Sequence, residues 1–525
     1  MSANAPTRDA SSERAPADAS VQAGRGGLAI AAAKLYFIVL GFAQQSLVNH
    51  LLGAGYGTYR RAQSLATIVY NPVVTSGVQG VSRSVSGAAP AERPAAARRS
   101  VLIQALGVQP LALAFYLGAP NLARALHAEH LTPAFRILSG VIALYGVYAP
   151  LVGVLNGQRR FVAQAALDSL FATLRTLGLA LGAYWFGRHA ARFDAVEGSL
   201  LGFVVAAGLI VVISIPVAGL GAPGSGGVTW RRQLAFLAPL YLGQFTLNLL
   251  MQSDLHVLGR LAADAAKAAG LDPRAADRLV GAYGVAQLFC FLPYQLLLSV
   301  TFVLFPLLAS AHRDGDREAV ARYVRTGMRL ALVIAGAFVA VNVGLGARLL
   351  ALVFRAEDAL LGGAAMLPLG VGLGAFALFG VLATVLTSLG HERKSAGLTV
   401  AALAFVLAAT SLLARGSALG EAMLVRVALG TASGLLAATA LAAFAVRRAA
   451  GAVAGLLPFT RVVGATTAAC GLGRALASSL PAGKPFTLVA ALVVGLTYLA
   501  VLVATRELGR SDLDMVLRLG RRGRG

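Results

Sequence analysis

The sequence alternates long apolar runs with short polar segments from end to end. A transmembrane helix needs about 20 apolar residues in succession, and each of these runs is predicted to form one such helix. The runs lie at 27–52, 62–82, 100–122, 134–156, 162–187, 195–220, 233–259, 279–308, 326–346, 363–389, 396–413, 420–446, 454–478 and 486–505. The sequence therefore predicts an all-α polytopic membrane protein with about fourteen transmembrane helices.

The composition agrees with this pattern and excludes a soluble protein. Hydrophobic residues make up 57% of the 525 residues, charged residues make up 13%, and the mean hydropathy is +0.73. A soluble domain carries about 25% charged residues. The first run is not expected to be a cleaved signal peptide, because a long hydrophilic tail precedes it. Cys290 and Cys470 each lie alone in an apolar run, so we predict no metal and no cofactor.

Basic residues concentrate in every second polar segment. The segments on the side of the N-terminal tail carry about twice as many Lys and Arg residues as the others, and such a bias marks the cytoplasmic side. Both termini are therefore predicted to be cytoplasmic. The net charge of +23 is then explained by contact with anionic membrane lipids. Nucleic acid is not an expected partner, because no aromatic interleaving or nucleic-acid-binding motif accompanies the basic residues.

Three short motifs occur twice along the chain, in the same order. The pairs are HLLG at 50–53 and HVLG at 256–259, GTYRRAQS at 57–64 and GAYGVAQL at 281–288, and GQRRF at 157–161 and GHERK at 390–394. Six runs separate the copies, and an even number preserves their orientation in the membrane. The two halves are therefore predicted to be related by a pseudo-two-fold axis along the membrane normal.

The repeat also predicts how the chain is divided. The predicted parts are a disordered cytoplasmic tail at 1–26, an N-terminal six-helix lobe at 27–220, a C-terminal six-helix lobe at 233–446, two additional helices at 454–505 and a basic cytoplasmic tail at 506–525.

At these motifs the sequence resembles a family of transporters. LLGAGYGTYRRAQS at 51–64, LNGQRRF at 155–161 and QSDLHVLG at 252–259 resemble the Wzx-type polysaccharide flippases of the multidrug/oligosaccharidyl-lipid/polysaccharide (MOP) exporter superfamily. Asp254 lies at the usual acidic position of that family. The resemblance implies two lobes that open alternately to each side of a bacterial inner membrane. It also implies an undecaprenyl-pyrophosphate-linked oligosaccharide as cargo and polysaccharide assembly proteins as further partners.

Polar residues within several apolar runs fall on one helical face, which is typical of helices that line a cavity. We predict that these residues bind the substrate. They are Lys34, Gln45 and Asn49 in the first run, Gln63 and Asn71 in the second, Asp168 and Arg175 in the fifth, Gln244 and Asn248 in the seventh, and Tyr283 and Gln287 in the eighth.

Arg175 and Lys34 carry a charge inside an apolar run, at a cost of roughly 2.5–3.5 kcal/mol at membrane depth. Arg175 lies too deep to reach the headgroups easily. Its charge fits either the diphosphate of a lipid-linked substrate or a structural salt bridge to Asp168 or another acid. Lys34 lies near the cytoplasmic end of its run, where it either lines the cavity or extends its ammonium to the membrane surface.

Asp254 and His256 lie near the predicted outer end of the seventh run. Two ionisable side chains at this depth indicate either a proton-linked coupling site or structural polar contacts.

Three functions from different classes follow from these patterns. The first is a flippase for lipid-linked oligosaccharides in polysaccharide biosynthesis, with a peptidoglycan-precursor flippase as a close variant. The second is a drug or cation antiporter of the same superfamily. The third is a membrane enzyme, which we do not expect, because the longest predicted outer loop, at 260–278, carries no acid/base or metal constellation and the chain has no Walker motif.

Overall fold

The computed structural model describes residues 36–189, 194–219, 221–224 and 226–509, and these residues contain no β-strand. Its helices are α1 (36–52), α2 (Tyr56–Ser86), α3 (Arg93–Ala125), α4 (Thr132–Gly157), α5 (Phe161–His189), α6 (Ala195–Ala218), α7 (Trp230–Ala268), α8 (Arg274–Cys290), α9 (Leu292–Arg313), α10 (Arg317–Leu345), α11 (Ala347–Leu350), α12 (Ala356–Gly363), α13 (Met366–Ser388), α14 (Glu392–Ala414), α15 (Glu421–Ala450), α16 (Leu456–Ser479) and α17 (Lys484–Ala504). Lys34, the tail 1–26 and residues 510–525 lie outside the described residues.

Twelve helical segments in the described ranges are long and apolar enough to cross a membrane. One of them, Tyr36–Ser86, has 51 residues and comprises both α1 and α2, which are separated by a 3₁₀ turn at Gly53–Gly55. A further helix, α16, is not among the twelve and carries Arg461 and Arg474. A helix therefore lies at the position of every predicted run, and the prediction of an all-α multi-pass membrane protein is confirmed.

The prediction of a long outer loop at 260–278 is wrong. Helix α7 continues to Ala268 and α8 begins at Arg274, so only residues 269–273 connect them. The segment LAADAAKAA at 261–269 is rich in alanine, the residue that favours helices most. The end of an apolar run shows where a helix leaves the hydrocarbon. Here the helix itself continues beyond that point, to Ala268.

By its internal contacts the chain divides into two compact units. Unit 1 comprises Met1–Leu51, Val69–Ala119 and Pro133–Gln244. Unit 2 comprises Leu52–Ile68, Pro120–Thr132 and Phe245–Gly525. Unit 2 thus includes two segments of the predicted N-terminal lobe, and the lobe boundaries drawn from the repeat stay a prediction.

In unit 1, helices α5 and α6 approach so closely that four glycines form their interface. Gly178 and Gly182 of α5 face Gly198 and Gly202 of α6, and a Cβ atom added at Gly202 would lie 1.8 Å from the carbonyl oxygen of Gly178. Small residues four apart let membrane helices pack backbone to backbone. This interface fixes the part of α5 that carries Arg175.

We expect Gly202→Ala to destabilise the protein by about 1–3 kcal/mol, because an added methyl group must push the two helices apart. Gly208→Ala on the same helix is the matched control, since a Cβ there meets no atom within 4 Å. It should leave stability unchanged or raise it by up to about 1 kcal/mol. Thermal unfolding of both purified variants measures the difference, and equal melting temperatures would refute the close packing.

Unit 2 contains a comparable pair formed by α14 and α15. Added Cβ atoms at Gly430 and Gly434 of α15 would lie 2.5 Å and 2.7 Å from the Cα atoms of Thr410 and Val406 of α14. These are the eleventh and twelfth of the predicted spans, just as α5 and α6 are the fifth and sixth. Each half of the sequence therefore ends in one tightly packed helix pair.

The last two helices of unit 2 pack against α10. The Tyr498 hydroxyl of α17 donates to the Val333 carbonyl at 2.8 Å. Beyond the end of α17, the buried Glu507 carboxylate accepts hydrogen bonds from Arg329 Nε of α10 at 2.7 Å and from Arg461 Nη1 of α16 at 3.3 Å. These contacts attach the two additional helices to unit 2.

Candidate substrate and coupling sites

Arg175 is the middle residue of the 29-residue helix α5. Its Nε donates a hydrogen bond to Gln44 Oε1 of α1 at 2.8 Å. The rings of Phe37 and Phe203 each lie 5.9 Å from the guanidinium carbon, within range of a cation–π attraction. The charge of Arg175 thus lies among neutral side chains.

The alternative of a salt bridge between Arg175 and Asp168 is not observed. Asp168 instead accepts a hydrogen bond from the Tyr148 hydroxyl at 3.0 Å. Residues seven apart on a straight helix are about 10 Å apart along its axis, which explains the separation. In the part of the chain that the structure describes, no Asp or Glu oxygen lies within 4 Å of the Arg175 guanidinium.

The other unit 1 candidates are divided between α1, α2 and α7. Gln45 and Asn49 are buried in α1, whereas Asn71 and Gln244 are half-buried. The direct partner of Arg175, Gln44, is absent from the predicted set, although it precedes Gln45 in the sequence. The helical face that we predicted for α1 is therefore shifted by one residue at the point where α1 meets α5.

In unit 2, the buried Asp254 carboxylate is the centre of a hydrogen-bond network. It accepts from the Tyr283 hydroxyl at 2.7 Å, from Gln287 Nε2 at 3.1 Å, from Thr431 Oγ1 at 3.2 Å and from the Leu255 amide at 2.8 Å. The structure thus joins the predicted coupling residue Asp254 to the predicted substrate residues Tyr283 and Gln287. Thr431 was missed, because nothing in the sequence distinguishes it from Ser433 and Thr439 in the same apolar run of α15.

His256 does not bond to Asp254. Its Nε2 lies 3.4 Å from Ser64 Oγ, and the Ser64 hydroxyl donates to the Arg61 carbonyl. Ser64 Oγ therefore accepts a hydrogen bond from Nε2–H, which leaves Nδ1 as an acceptor in the neutral ring. That Nδ1 and the Oε1 atoms of Gln252 and Gln63 are buried and bond to no described group. Asn248, the remaining candidate in unit 2, is buried one turn before Gln252.

A second buried cluster in unit 2 joins α2 to the beginning of α8. Arg61 Nη1 lies 3.0 Å from Asp277 Oδ1, and these side chains are 0% and 1% exposed. The other carboxylate oxygen, Oδ2, accepts from Thr58 Oγ1 and from His130 Nε2, both at 2.7 Å. We call these four residues the Asp277 cluster. A Cβ atom added at Gly57 would lie 1.8 Å from the Asp277 carbonyl oxygen, so the glycine of the GTYRR motif is required for this contact.

Arg60, the neighbour of Arg61 in the sequence, connects α2 to the hydrogen-bond network of Asp254 through Gln287. Arg60 Nη2 donates to Gln287 Oε1 at 3.3 Å, while Gln287 Nε2 donates to Asp254. The AQ pairs at 62–63 and 286–287 are repeats of one another in the sequence, yet only Gln287 bridges two charged residues. Within the described ranges, no three His, Cys, Asp or Glu side chains are close enough to hold a metal ion.

No protein-family model and no curated relative matches the sequence. Solved structures are similar in fold. The lipid II flippase MurJ, in an inward closed conformation, superposes with a TM-score of 0.71 at 14% identity and covers 91% of this chain and 99% of that chain. An inward-facing multidrug resistance MATE family transporter of the MOP superfamily gives 0.62 at 15% identity and covers 80% and 98%.

A variant of the Vibrio cholerae MATE transporter VcmN gives a TM-score of 0.58 at 15% identity and covers 82% of this chain and 97% of that chain. These likenesses extend over nearly the whole of each solved transporter. The chain accordingly has the fold of the MOP superfamily of membrane transporters.

Proposed function

We propose that the protein is a flippase that moves an undecaprenyl-pyrophosphate-linked oligosaccharide across the inner membrane by alternating access. In this proposal Arg175 binds the diphosphate, and the polar residues of α1, α2, α7 and α8 contact the sugars. The protein acts as a transporter and not as an enzyme.

The observation that carries the proposal is the charge of Arg175, which has no carboxylate partner among the described residues. Arg175 donates to the neutral side chain of Gln44 and lies at the middle of a membrane-spanning helix. A cation at this depth is tolerable only when it faces protein, water or an anionic ligand. A guanidinium binds phosphate oxygens well, because its donors form a fork that matches them.

The coverage of the solved structures supports a lipid-linked substrate over a drug. The lipid II flippase covers 91% of this chain, whereas the first MATE transporter covers 80%. The same coverage also supports the second candidate, a flippase for peptidoglycan precursors. The substrate of that flippase has a different sugar on the same diphosphate. The drug or cation antiporter is the third candidate.

For ion coupling we propose Asp254 and His256, as two separate groups. Among the described residues, Asp254 accepts from neutral donors only, and His256 Nδ1 is a buried acceptor with no bonded group. A buried carboxylate that lacks a cationic partner can exchange a proton or bind a cation at moderate cost. Polysaccharide assembly proteins are the partners that would use the flipped product.

The test of the function uses the wild-type protein in vesicles that contain one of three fluorescent substrates. These are an undecaprenyl-pyrophosphate-linked oligosaccharide, lipid II and ethidium as a cationic drug. We expect protein-dependent movement of the oligosaccharide lipid, measured by membrane-impermeant quenching of the exposed fluorophore. Movement of lipid II alone would select the peptidoglycan variant, whereas ethidium transport without lipid movement would refute the flippase.

A further inference from the structure

Unit 1 contains a cavity of about 510 Å³ between α2, α3 and the first part of α7. Its wall is mainly aliphatic and includes Ile103, Val108, Leu111, Leu234, Leu237 and Leu242. None of the residues that we assign to substrate binding or ion coupling lines it. A wall of this kind selects a hydrocarbon ligand.

The cavity opens at the surface of membrane-spanning helices. Leu234 and Leu242 are 47% and 62% exposed, and Gly107 of α3, which also lines the cavity, is exposed. All three helices belong to segments that are long and apolar enough to cross the membrane. Hydrocarbon can therefore reach the cavity from within the bilayer.

One end of this cavity has a cationic rim. Arg83 lies seven residues after the lining residue Ser76 on α2, which is about 10 Å along the helix axis. Its guanidinium carbon lies 4.1 Å from the centre of the Phe236 ring, and Phe236 lies on α7 between the lining residues Leu234 and Leu237. Arg231 and Arg232, both exposed, begin the same helix. The sequence predicts that this end of α2 and α7 is cytoplasmic.

The volume limits the size of the hydrocarbon. A methylene group occupies about the volume of a water molecule in the liquid, roughly 30 Å³, so the cavity holds about seventeen of them. One acyl chain of a phospholipid has this size. An undecaprenyl chain is about three times longer, so most of such a chain would lie outside the cavity.

We propose that this cavity binds one acyl chain of an anionic phospholipid from the cytoplasmic leaflet, with the lipid phosphate at Arg83 and the arginines that begin α7. An apolar cavity about 10 Å from a cationic rim has the polarity and dimensions of such an amphiphile. The bound lipid would hold α2, α3 and α7 together in unit 1. This role concerns a resident lipid and does not depend on which substrate the protein transports.

The decisive variant is Gly107→Phe, because a Cβ at this lining glycine meets no atom within 4 Å. Its ring can therefore enter the cavity without moving the backbone. Gly118→Phe is the matched control, since Gly118 lies on the same helix, has equally open surroundings and does not line the cavity. Purified, delipidated variants are titrated with phosphatidylglycerol or phosphatidylcholine, and binding is followed by native mass spectrometry and by the shift in Tm.

We expect phosphatidylglycerol to bind and stabilise the wild type and Gly118→Phe, and to bind Gly107→Phe about tenfold more weakly or less. Arg83→Ala should weaken phosphatidylglycerol binding about fivefold while phosphatidylcholine binding stays unchanged. If Gly107→Phe does not fold, Arg83→Ala alone decides the headgroup preference.

Three results would overturn the proposal. Equal phosphatidylglycerol binding by Gly107→Phe and Gly118→Phe would place the lipid elsewhere. Equal affinity of the wild type for the two phospholipids would show that the cationic rim does not bind the lipid phosphate. Displacement of phosphatidylglycerol by an equal concentration of undecaprenyl phosphate would assign the cavity to the polyprenyl chain instead.

Discussion

Flipping of the undecaprenyl-pyrophosphate-linked oligosaccharide is expected to fall about tenfold to a hundredfold in Arg175→Ala, while the protein still inserts and folds. A hydrogen bond to a charged group is worth about 1.5–3 kcal/mol, and about 1.4 kcal/mol corresponds to a factor of ten. The buried Gln44 Oε1 that accepts from Arg175 keeps the Thr176 hydroxyl as a donor, at 3.4 Å, when the guanidinium is removed. The measurement is the flipping rate in reconstituted vesicles, normalised to folded protein.

Two further variants separate charge from structure. Arg175→Lys should retain part of the activity, because an ammonium still attracts a diphosphate but cannot bind it through two parallel donors. Arg188→Ala is the control on the same helix, since that arginine is exposed and contacts only Tyr184 among the described side chains. It should change flipping less than about twofold. A normal flipping rate in Arg175→Ala would remove Arg175 from the substrate site.

The second large effect is expected at the Asp277 cluster. Asp277→Leu should lower the free energy of unfolding by about 3–5 kcal/mol, because it leaves the fully buried Arg61 guanidinium without its carboxylate. The double variant Arg61→Leu/Asp277→Leu should recover most of this loss, since two apolar side chains of similar size can replace a buried ion pair. Equilibrium unfolding in mixed micelles gives both values.

The neighbouring ion pair supplies the control for this prediction. Arg278 lies 3.4 Å from Glu357, and these side chains are 60% and 61% exposed. Solvent screens such a pair, so Glu357→Ala should cost less than about 1 kcal/mol. A similar cost for Asp277→Leu and Glu357→Ala would mean that water reaches the Asp277 cluster, contrary to its burial in the structure.

The positions of the spans could be predicted because the bilayer imposes a length on every apolar run. The depth of Arg175 followed from the same count, since the middle of the run is the middle of α5. The partners of the charged residues could not be predicted in this way. Helical periodicity shows which face a residue lies on, but it does not show which of the other helices that face meets.

The Asp277 cluster illustrates this limit. Asp277 is separated by 216 residues from Arg61 and by 147 from His130, and it lies in a segment that we predicted as a loop. The close approach of Gly57 to Asp277 joins these segments, and a glycine at the end of a helix is more commonly a sign of a turn. The network at Asp254 was partly predictable, because its acid, tyrosine and glutamine all interrupt apolar runs.

The contacts of Glu507 impose an order on biosynthesis. Arg329 is synthesised 178 residues before the carboxylate that binds it, and a ribosome needs about 9–36 s for that length. During this interval α10 is already made while its arginine has no Glu507 to bind. A messenger that ends before codon 507 yields a chain in which Arg329 and Arg461 both lack this carboxylate. Two arginines without their carboxylate thus distinguish such a shortened chain from one that contains Glu507.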